Sequence, residues 1–350
     1  MFSNIILTIK NDTERTMSTR PVIAITLGDP CGIGPEVVAK ALSSREIYNV
    51  CVPLVVGSIT AMEQGIKIAD ASLAIRKVGS ISSVKSLPGE ISVIDTGWIP
   101  LDSIQMGKIS ADAGRASVEW VKYAAQLCLD GEVDAIATAP IHKEAVILAG
   151  YKEVGHMEIL QAMTQAPQVA TMLISGILRV VHLTTHRPLS EAANAVTKEN
   201  VLAKITLTND SFKQWGFKSA RIGVAALNPH ASDGGLLGSE ESEAIEPAIR
   251  EASAQGINVV GPVPADTIFH QAIKGDYDVV LAMYHDQGHI PIKVYGFEQS
   301  ISVNLGLPLT RTSVDHGTAF DIAGKGIAQA TSMIEAIKLA ASIASGDGMI

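Results

Sequence analysis

The chain has 350 residues, of which 47% are hydrophobic and 4% aromatic, and its formal net charge is −9. With no cluster of five or more Lys or Arg residues it lacks the basic face of a nucleic-acid-binding protein, so that class is not favoured. Its three cysteines are far apart and form no CxxC pair, which argues against a disulfide framework or a thiolate zinc site and fits a reducing cytoplasm.

The residues before the first clearly predicted strand give little indication of secondary structure or targeting. Residues 1–20 contain the apolar run "IILTI", which is too short for a signal-peptide core and is followed by charged residues. We expect a disordered tail or an extended start there. No stretch of the chain reaches the length needed to span a bilayer, so no membrane association is expected.

From Pro21 onward, strand and helix patterns alternate. The segments "PVIAITLGD", "VCVPLVVG", "ISVIDTG" and "VDAIATAP" predict strands, and "GIGPEVVAKAL" and residues 110–130 predict helices. Later strands are predicted at "TMLIS", "RVVHLTT", "ARIGVAAL" and "YDVVLAMY", and an amphipathic helix at 325–345 closes the chain. This alternation indicates an α/β fold with a mainly parallel sheet.

Three histidines stand just after predicted strands: His186, His230 and His285. In open α/β sheets, ligands bind beyond the carboxyl ends of the strands, so these imidazoles could converge on one metal ion. Their separations of 44 and 55 residues carry no local ligand signature. Spacing alone therefore favours ordinary hydrogen-bonding histidines, and both interpretations stay open at this point.

Two further segments contain polar residues whose neighbours could form a binding site. "LGDPCGIGPE" (27–36) is either an anion site at a helix N-terminus or a tight strand-to-helix turn. In "LPLTRTSVDHGTAFDIAGKG" (307–326), Arg311 beside Thr312 and Ser313 could hold a phosphate or a carboxylate, because a guanidinium fork matches either group. Lys293 adds a second cation.

Taken together, the motifs resemble the 4-hydroxythreonine-4-phosphate dehydrogenase (PdxA) family. The resemblance runs from about residue 21 to about residue 345 and rests on "ITLGDPCGIGPE", "APIHKEAV", "GHMEIL", "TTHRPL", "LNPHASDGG", "GPVPADT", "AMYHDQG" and "LGLPLTRTSVDHGTA". It implies an isopropylmalate-dehydrogenase-like fold, with two α/β domains around a cleft. The first would comprise residues 21–139 plus 305–350 on the cofactor side. The second, residues 140–304, would carry the metal, the substrate and the dimer contacts.

The resemblance also implies a site. A divalent metal (Zn, Mg, Mn or Co) would be held by His186, His230 and His285, and these histidines, Lys293 and Asp266 would form the catalytic set. Substrate contacts would come from His156, Met157, Lys293, Ser302 and Arg311. NAD, or NADP, would lie against His316, Gly317, Thr318, Ala319 and Asp321, with Asp321 near the adenosine ribose. The enzyme would be a cytoplasmic homodimer in which the partner chain completes each active site.

The implied reaction is the NAD-dependent and metal-dependent oxidation and decarboxylation of a 4-phosphorylated hydroxy acid of the 4-phosphohydroxy-L-threonine type, as in pyridoxal phosphate (vitamin B6) biosynthesis. Two departures concern the substrate: Met157 replaces a hydroxyl residue of the family's "GHTE", and Ser302 stands where the family typically has an Asn. The alternatives are 4-phospho-D-threonate or 4-phospho-D-erythronate in sugar-acid catabolism, and a dihydrodiol dicarboxylate. From another class, the same histidines would suit a metal-dependent hydrolase or lyase without nicotinamide.

Overall fold

The computed structural model describes residues 20–97, 99 and 103–349. Of the expected tail, residues 1–19 lie outside this range. Arg20 is described, and its guanidinium donates a hydrogen bond to the backbone carbonyl of Tyr48. No helix within the described ranges is long and apolar enough to cross a membrane.

Twelve strands of the described chain form one sheet. Their bounds are β1 Val22–Thr26, β2 Val52–Gly57, β3 Ala74–Lys77, β4 Glu90–Asp95, β5 Ala135–Thr138, β6 Ala170–Ser175, β7 Leu178–His182, β8 Ile222–Ala225, β9 Val259–Val263, β10 Val279–Ala282, β11 Ile301–Leu305 and β12 Arg311–Val314. Their order across the sheet is β3-β4-β2-β1-β5-β12-β11-β6-β7-β10-β8-β9. The α/β class with a mainly parallel sheet is therefore confirmed.

Helices flank this sheet along most of the chain. They are α1 Gly34–Ser43, α2 Arg45–Val50, α3 Ile59–Ile68, α4 Ala111–Leu129, α5 Lys143–Leu148, α6 His156–Thr164, α7 Leu189–Asn194, α8 Lys198–Gln214, α9 Glu246–Ala254, α10 Ala265–Ile273, α11 His285–Gly296 and α12 Thr331–Ala344. The Ser start signal predicted for α4 is confirmed, because Ser110 Oγ accepts a hydrogen bond from the amide of Ala113.

The middle of the sheet departs from the parallel pattern. Strand β11 pairs antiparallel with both β12 and β6, and β6 pairs antiparallel with β7. Three antiparallel steps thus separate two parallel halves, which run in opposite directions. Within the second half, β7, β10 and β8 are neighbours and parallel. The segments after these strands, which contain His186, His285 and His230, therefore leave the sheet at the same edge.

The apolar core is divided in a way that follows the sheet. One cluster of buried side chains is drawn mainly from β1, β2, β5, α1 and α4, and a second from β6, β8, β10, β11 and α8. Both clusters include residues of α12, which lies across the centre. The proposed division into residues 21–139 plus 305–350 and residues 140–304 stays a prediction, since the sheet itself is continuous.

The segment 27–36 forms a tight turn between β1 and α1, and it contacts segments that are distant in the chain. Gly28 has φ +66°, and a Cβ there would lie 2.3 Å from the carbonyl oxygen of Pro140. The amide of Ile33 donates to the carbonyl of Thr318 at 3.0 Å. Glu36, in the first turn of α1, is buried and already accepts hydrogen bonds from Lys40 and from the amide of Ala328. A carboxylate thus occupies the helix start, which favours the structural turn over an anion site.

Asp29 is the buried charge of this turn. Its Oδ1 accepts a hydrogen bond from the amide of Cys31, while Oδ2 is buried without a partner. Burial raises the pKa of Asp29 to about 6. A carboxyl with a raised pKa in the folded state stabilises the fold at a pH below its unfolded value, and this contribution is lost as the pH rises through the folded pKa.

We expect Asp29, whose pKa rises to about 6 in the folded state, to lower the stability of the protein by about 2 kcal/mol between pH 4 and pH 7. Asp29→Asn should remove that part of the pH dependence, as seen in urea midpoints measured across this range. Equal slopes for the variant and the parent protein would contradict the assignment. Asp70→Asn, at a surface turn, serves as the control.

Candidate active site

A cavity of about 430 Å³ lies over the antiparallel centre of the sheet. Because side chains alternate along a strand, one face of three adjacent strands supplies its floor. That face carries Thr171 and Leu173 of β6, Ser302 of β11, and Arg311 and Ser313 of β12. The start of α6, the segment after β7, and the α8 and α11 helices supply the walls.

Several residues expected in the site line this cavity: His156, Met157, His186, Ser302, Arg311, His316 and Gly317. Lys293 does not line it. Its Nζ instead forms an ion pair at 2.5 Å with Oδ2 of Asp315, a residue that does. Thr318, Ala319 and Asp321 lie beyond the cavity lining, and so do His230, Asp266 and His285. The roles expected for all of these residues stay predictions.

A cluster of four histidines forms one end of the site. His285 and His289 are one helical turn apart on α11, and their rings stack with centroids 3.5 Å apart. Nδ1 of His289 lies 3.1 Å from Nε2 of His182, the last residue of β7. The ring of His186 lies 5.5 Å from that of His285, and both residues border a second cavity of about 480 Å³.

The surroundings of two of these four imidazoles, His182 and His289, lower their pKa. Burial, followed by the nearby His289 and His285, lowers the pKa of His182 to about 3. Burial is also the main cause that lowers the pKa of His289. A neutral imidazole keeps a lone pair for a metal ion, so the cluster offers the right kind of donor for a divalent cation.

The third expected ligand, His230, does not form a metal-holding group with the other two. It is exposed on a turn after β8 in which residues 230–234 all have positive φ. Within the described ranges, no three His, Cys, Asp or Glu side chains are arranged to hold a metal ion. One chain thus supplies two of the expected imidazoles, His186 and His285, near each other, without a complete three-ligand set. Asp266 is exposed in the first turn of α10.

A buried carboxylate holds the turn that carries His230. Oε1 of Glu241 accepts hydrogen bonds from the amides of Leu227 and Asn228, at 2.8 and 2.7 Å. Its Oε2 accepts from the side chains of Asn228 and Ser232. Positive φ is costly for residues other than glycine, so this left-handed turn needs such external support. Glu241 therefore positions the segment around His230.

A buried guanidinium occupies the other end of the cavity. Arg311 donates from Nε and Nη2 to Oγ1 of Thr138, at 3.0 and 2.7 Å, and from Nη1 to Oδ1 of Asn304 at 2.8 Å. Burial lowers its pKa to about 9, which still leaves it charged at neutral pH. Burial and the charge of Arg311 hold the pKa of His156 well below its usual value, and Nε2 of His156 has no partner.

Comparisons with known proteins agree on one family. A family model described as "Pyridoxal phosphate biosynthetic protein PdxA" matches residues 49–340. The chain belongs to the PdxA family.

Individual relatives carry two kinds of name. A protein of Oceanobacillus iheyensis named "Putative D-threonate 4-phosphate dehydrogenase" is 44% identical over 94% of this chain and 99% of the relative. A crystal structure of a 4-hydroxythreonine-4-phosphate dehydrogenase from Burkholderia phymatum is similar with a TM-score of 0.84 and 43% identity, covering 93% of this chain and 99% of that one. The crystal structure of the enzyme of the same name from Klebsiella pneumoniae is similar with a TM-score of 0.88 and 38% identity. The match covers 94% of this chain and 100% of that one. The resemblance to the PdxA family is thereby confirmed.

The loop expected to bind the PdxA-family nicotinamide cofactor leads from the cavity to the surface. His316 and Gly317 border the cavity, and a Cβ on Gly317 would meet nothing within 4 Å. Phe320 stacks on His142 with ring centroids 4.5 Å apart, and Asp321 is exposed. The contact of this loop with a nicotinamide cofactor stays a prediction.

Sequence reasoning missed several residues of the site: His182, His289, Lys204, Thr138, Thr171 and Asn304. His289 had a usable signal, because it follows His285 by four residues in a segment that forms a helix. Asn304 lies two residues after Ser302 on the same face of β11, so an amide is present near the position where the family's Asn is absent. Lys204 on α8 had no signal, since a single lysine in a helix is usually solvated.

Glu241→Gln should loosen the His230 turn, because an amide cannot accept all the hydrogen bonds that the carboxylate accepts. We expect a loss of roughly 1–3 kcal/mol in stability and faster proteolytic cleavage between residues 227 and 238. Limited proteolysis with mass spectrometry measures this. Glu243→Gln, an exposed carboxylate of the same segment, should change neither quantity. Identical cleavage rates for both variants would exclude the positioning role.

Proposed function

We propose that this chain is an NAD-dependent and divalent-metal-dependent dehydrogenase that oxidises a 4-phosphorylated hydroxy acid and releases carbon dioxide. The observation that carries this proposal is the cavity between a buried cation, Arg311, and a cluster of four histidines. Such a cavity suits a substrate that has an anionic group at one end and a hydroxyl-bearing carbon at the other.

Arg311 is suited to the phosphate. Its fork is held by Thr138 and Asn304 before any ligand arrives, so little side-chain entropy is lost on binding. His156, neutral and with an unpartnered Nε2, adds a hydrogen-bonding group beside it. Together these residues would fix the phosphate and orient the rest of the substrate toward the histidines.

The histidine end is where oxidation is proposed. A divalent cation at His186 and His285 would stabilise the negative charge that develops on the substrate oxygens. A bound nicotinamide would supply the acceptor for the hydride of the hydroxyl-bearing carbon, and the cation would supply charge stabilisation for the loss of carbon dioxide from the β-keto acid. The cofactor would lie along residues 316–321, with NAD favoured over NADP through the exposed carboxylate of Asp321.

Of the two substrates in the relatives' names, we favour D-threonate 4-phosphate over 4-phosphohydroxy-L-threonine. Met157 lines the cavity where the family typically has a hydroxyl residue, and its Sδ lies 3.5 Å from Oγ1 of Thr171. A thioether is only a weak acceptor, so one polar contact to substrate is lost. The curated relative at 44% identity carries the D-threonate name.

We further propose that a second copy of the chain completes the site. Ile290, Val294 and Phe297 are exposed at helical spacing along α11, the helix that begins with His285. Leu236 and Leu237, close in sequence to His230, are exposed as well. Apolar faces of this kind mark protein interfaces. Pairing there would bring partner residues to the histidine cluster, which one chain leaves without a third ligand.

The free cysteines Cys31, Cys51 and Cys128 support a cytoplasmic location.

The direct test is NADH formation by the purified protein with NAD and Zn²⁺, Mg²⁺, Mn²⁺ or Co²⁺. The panel contains D-threonate 4-phosphate, 4-phospho-D-erythronate, 4-phosphohydroxy-L-threonine and a cis-dihydrodiol dicarboxylate. We expect D-threonate 4-phosphate to be turned over best, and activity to vanish with a chelator and return with metal. If no compound in the panel gives NADH while metal is bound, the proposal is overturned. Turnover without NAD would point to the hydrolase or lyase alternative.

Val294→Glu should convert the dimer to monomers and lower kcat/KM by at least about tenfold, because it places a charge on a side chain that is 82% exposed in one chain and covered in the pair. Size-exclusion chromatography with light scattering measures the mass. Leu87→Glu, at a position that is 46% exposed in the other half of the molecule, is the control. A monomeric parent protein with full activity would contradict the dimer.

A further inference from the structure

Lys204 borders the active-site cavity from α8. It also borders a neighbouring cavity of about 430 Å³, and Met157, Leu183 and Thr185 line both. Lys204 therefore stands where the two spaces meet. Its side chain is partly buried, and burial lowers the pKa of its ammonium.

The ammonium of Lys204 has no hydrogen bond or ion pair with any described residue. The other partly buried cations of this region are compensated: Lys293 pairs with Asp315, and Arg311 donates to Thr138 and Asn304. Partial removal from water makes a cation without a counter-charge less favourable, and an anionic ligand is the simplest compensation. The side chain thus faces the cavity as a free cationic group.

Lys204 lines the cavity together with Leu183 and Thr185, which belong to the segment between His182 and His186, and so lies toward its histidine end. Its charge is among the causes that lower the pKa of His182. The phosphate is assigned to Arg311 and His156, so the carboxylate and the carbon next to it would come to the histidine end. That neighbouring carbon, C2, is where the two candidate substrates differ. D-threonate 4-phosphate carries a neutral hydroxyl there, and 4-phosphohydroxy-L-threonine carries an ammonium.

We propose that Lys204 is a specificity-determining residue that binds the substrate carboxylate and discriminates against an ammonium at C2. This inference rests on the proposed function. The attraction to the carboxylate is common to both substrates, whereas the repulsion between two cations acts on the amino acid alone. Unfavourable like-charge contacts are an effective means of rejecting a competing ligand. Met157 adds no charge or strong acceptor that would compensate the C2 ammonium.

The test combines binding and turnover for Lys204→Met, Lys204→Arg and the control Lys213→Met, an exposed lysine on the same helix. Equilibrium binding of both phosphates is measured by calorimetry with Zn²⁺ present and NAD absent, so that no reaction occurs. We expect Lys204→Met to weaken D-threonate 4-phosphate about 10- to 100-fold and to shrink its preference over the amino acid about tenfold. Lys204→Arg should keep the preference, and Lys213→Met should match the parent protein.

The outcomes separate the two proposals. An unchanged ratio of the two affinities in Lys204→Met would overturn the role of Lys204, even if the parent protein oxidises D-threonate 4-phosphate. A lost preference in a protein that turns over neither compound would support Lys204 and refute the proposed reaction. Equal weakening of both ligands by Lys204→Met and Lys204→Arg would indicate a structural role and also overturn the inference.

Discussion

The buried guanidinium of Arg311 is the constraint on which the site depends. It begins β12, the strand that lies between β5 of one parallel half and the antiparallel β11. Its hydrogen bonds reach one residue on each of these neighbours, Thr138 and Asn304. A charge removed from water requires such partners. The same contacts that satisfy the charge therefore tie the first parallel half of the sheet to its antiparallel centre and hold the fork at the cavity.

The reversal of strand direction at the centre explains why a cavity forms there. In a fully parallel sheet, both faces are covered by crossover helices. Here β6 connects directly to β7, and β11 directly to β12, without a crossover helix, and Ser302 and Thr171 of these strands line the cavity. The histidine segments leave the parallel strands β7 and β10 at the border of this cavity. Arg311 and the histidines thus lie at the same cavity, a few strands apart along the sheet.

The sequence predicted the fold class and the strands with continuous apolar runs, such as β1, β2 and β10, because buried parallel strands leave a clear pattern. It did not mark β11 and β12, whose polar residues face the cavity. Of the site, it singled out residues within family motifs, including His156, Met157 and Arg311. It missed His182, Asn304 and Lys204, whose importance comes from neighbours that are distant in the chain. No local pattern records that a lysine lacks a counter-charge or that a histidine is buried against two others.

The charges of the cavity also disfavour protonation of two of its histidines. His182 faces His289, His285 and Lys204, and His289 faces His285 and Lys293, so an added proton on either ring would be repelled. A cation arriving beside these two imidazoles would meet less competition from protons. The cation would also add positive charge beside Lys204. This added charge would strengthen the attraction for a carboxylate and the repulsion of an ammonium. On this argument the metal site and the substrate preference are one electrostatic arrangement, and a substrate with two anionic ends and a neutral centre matches it best.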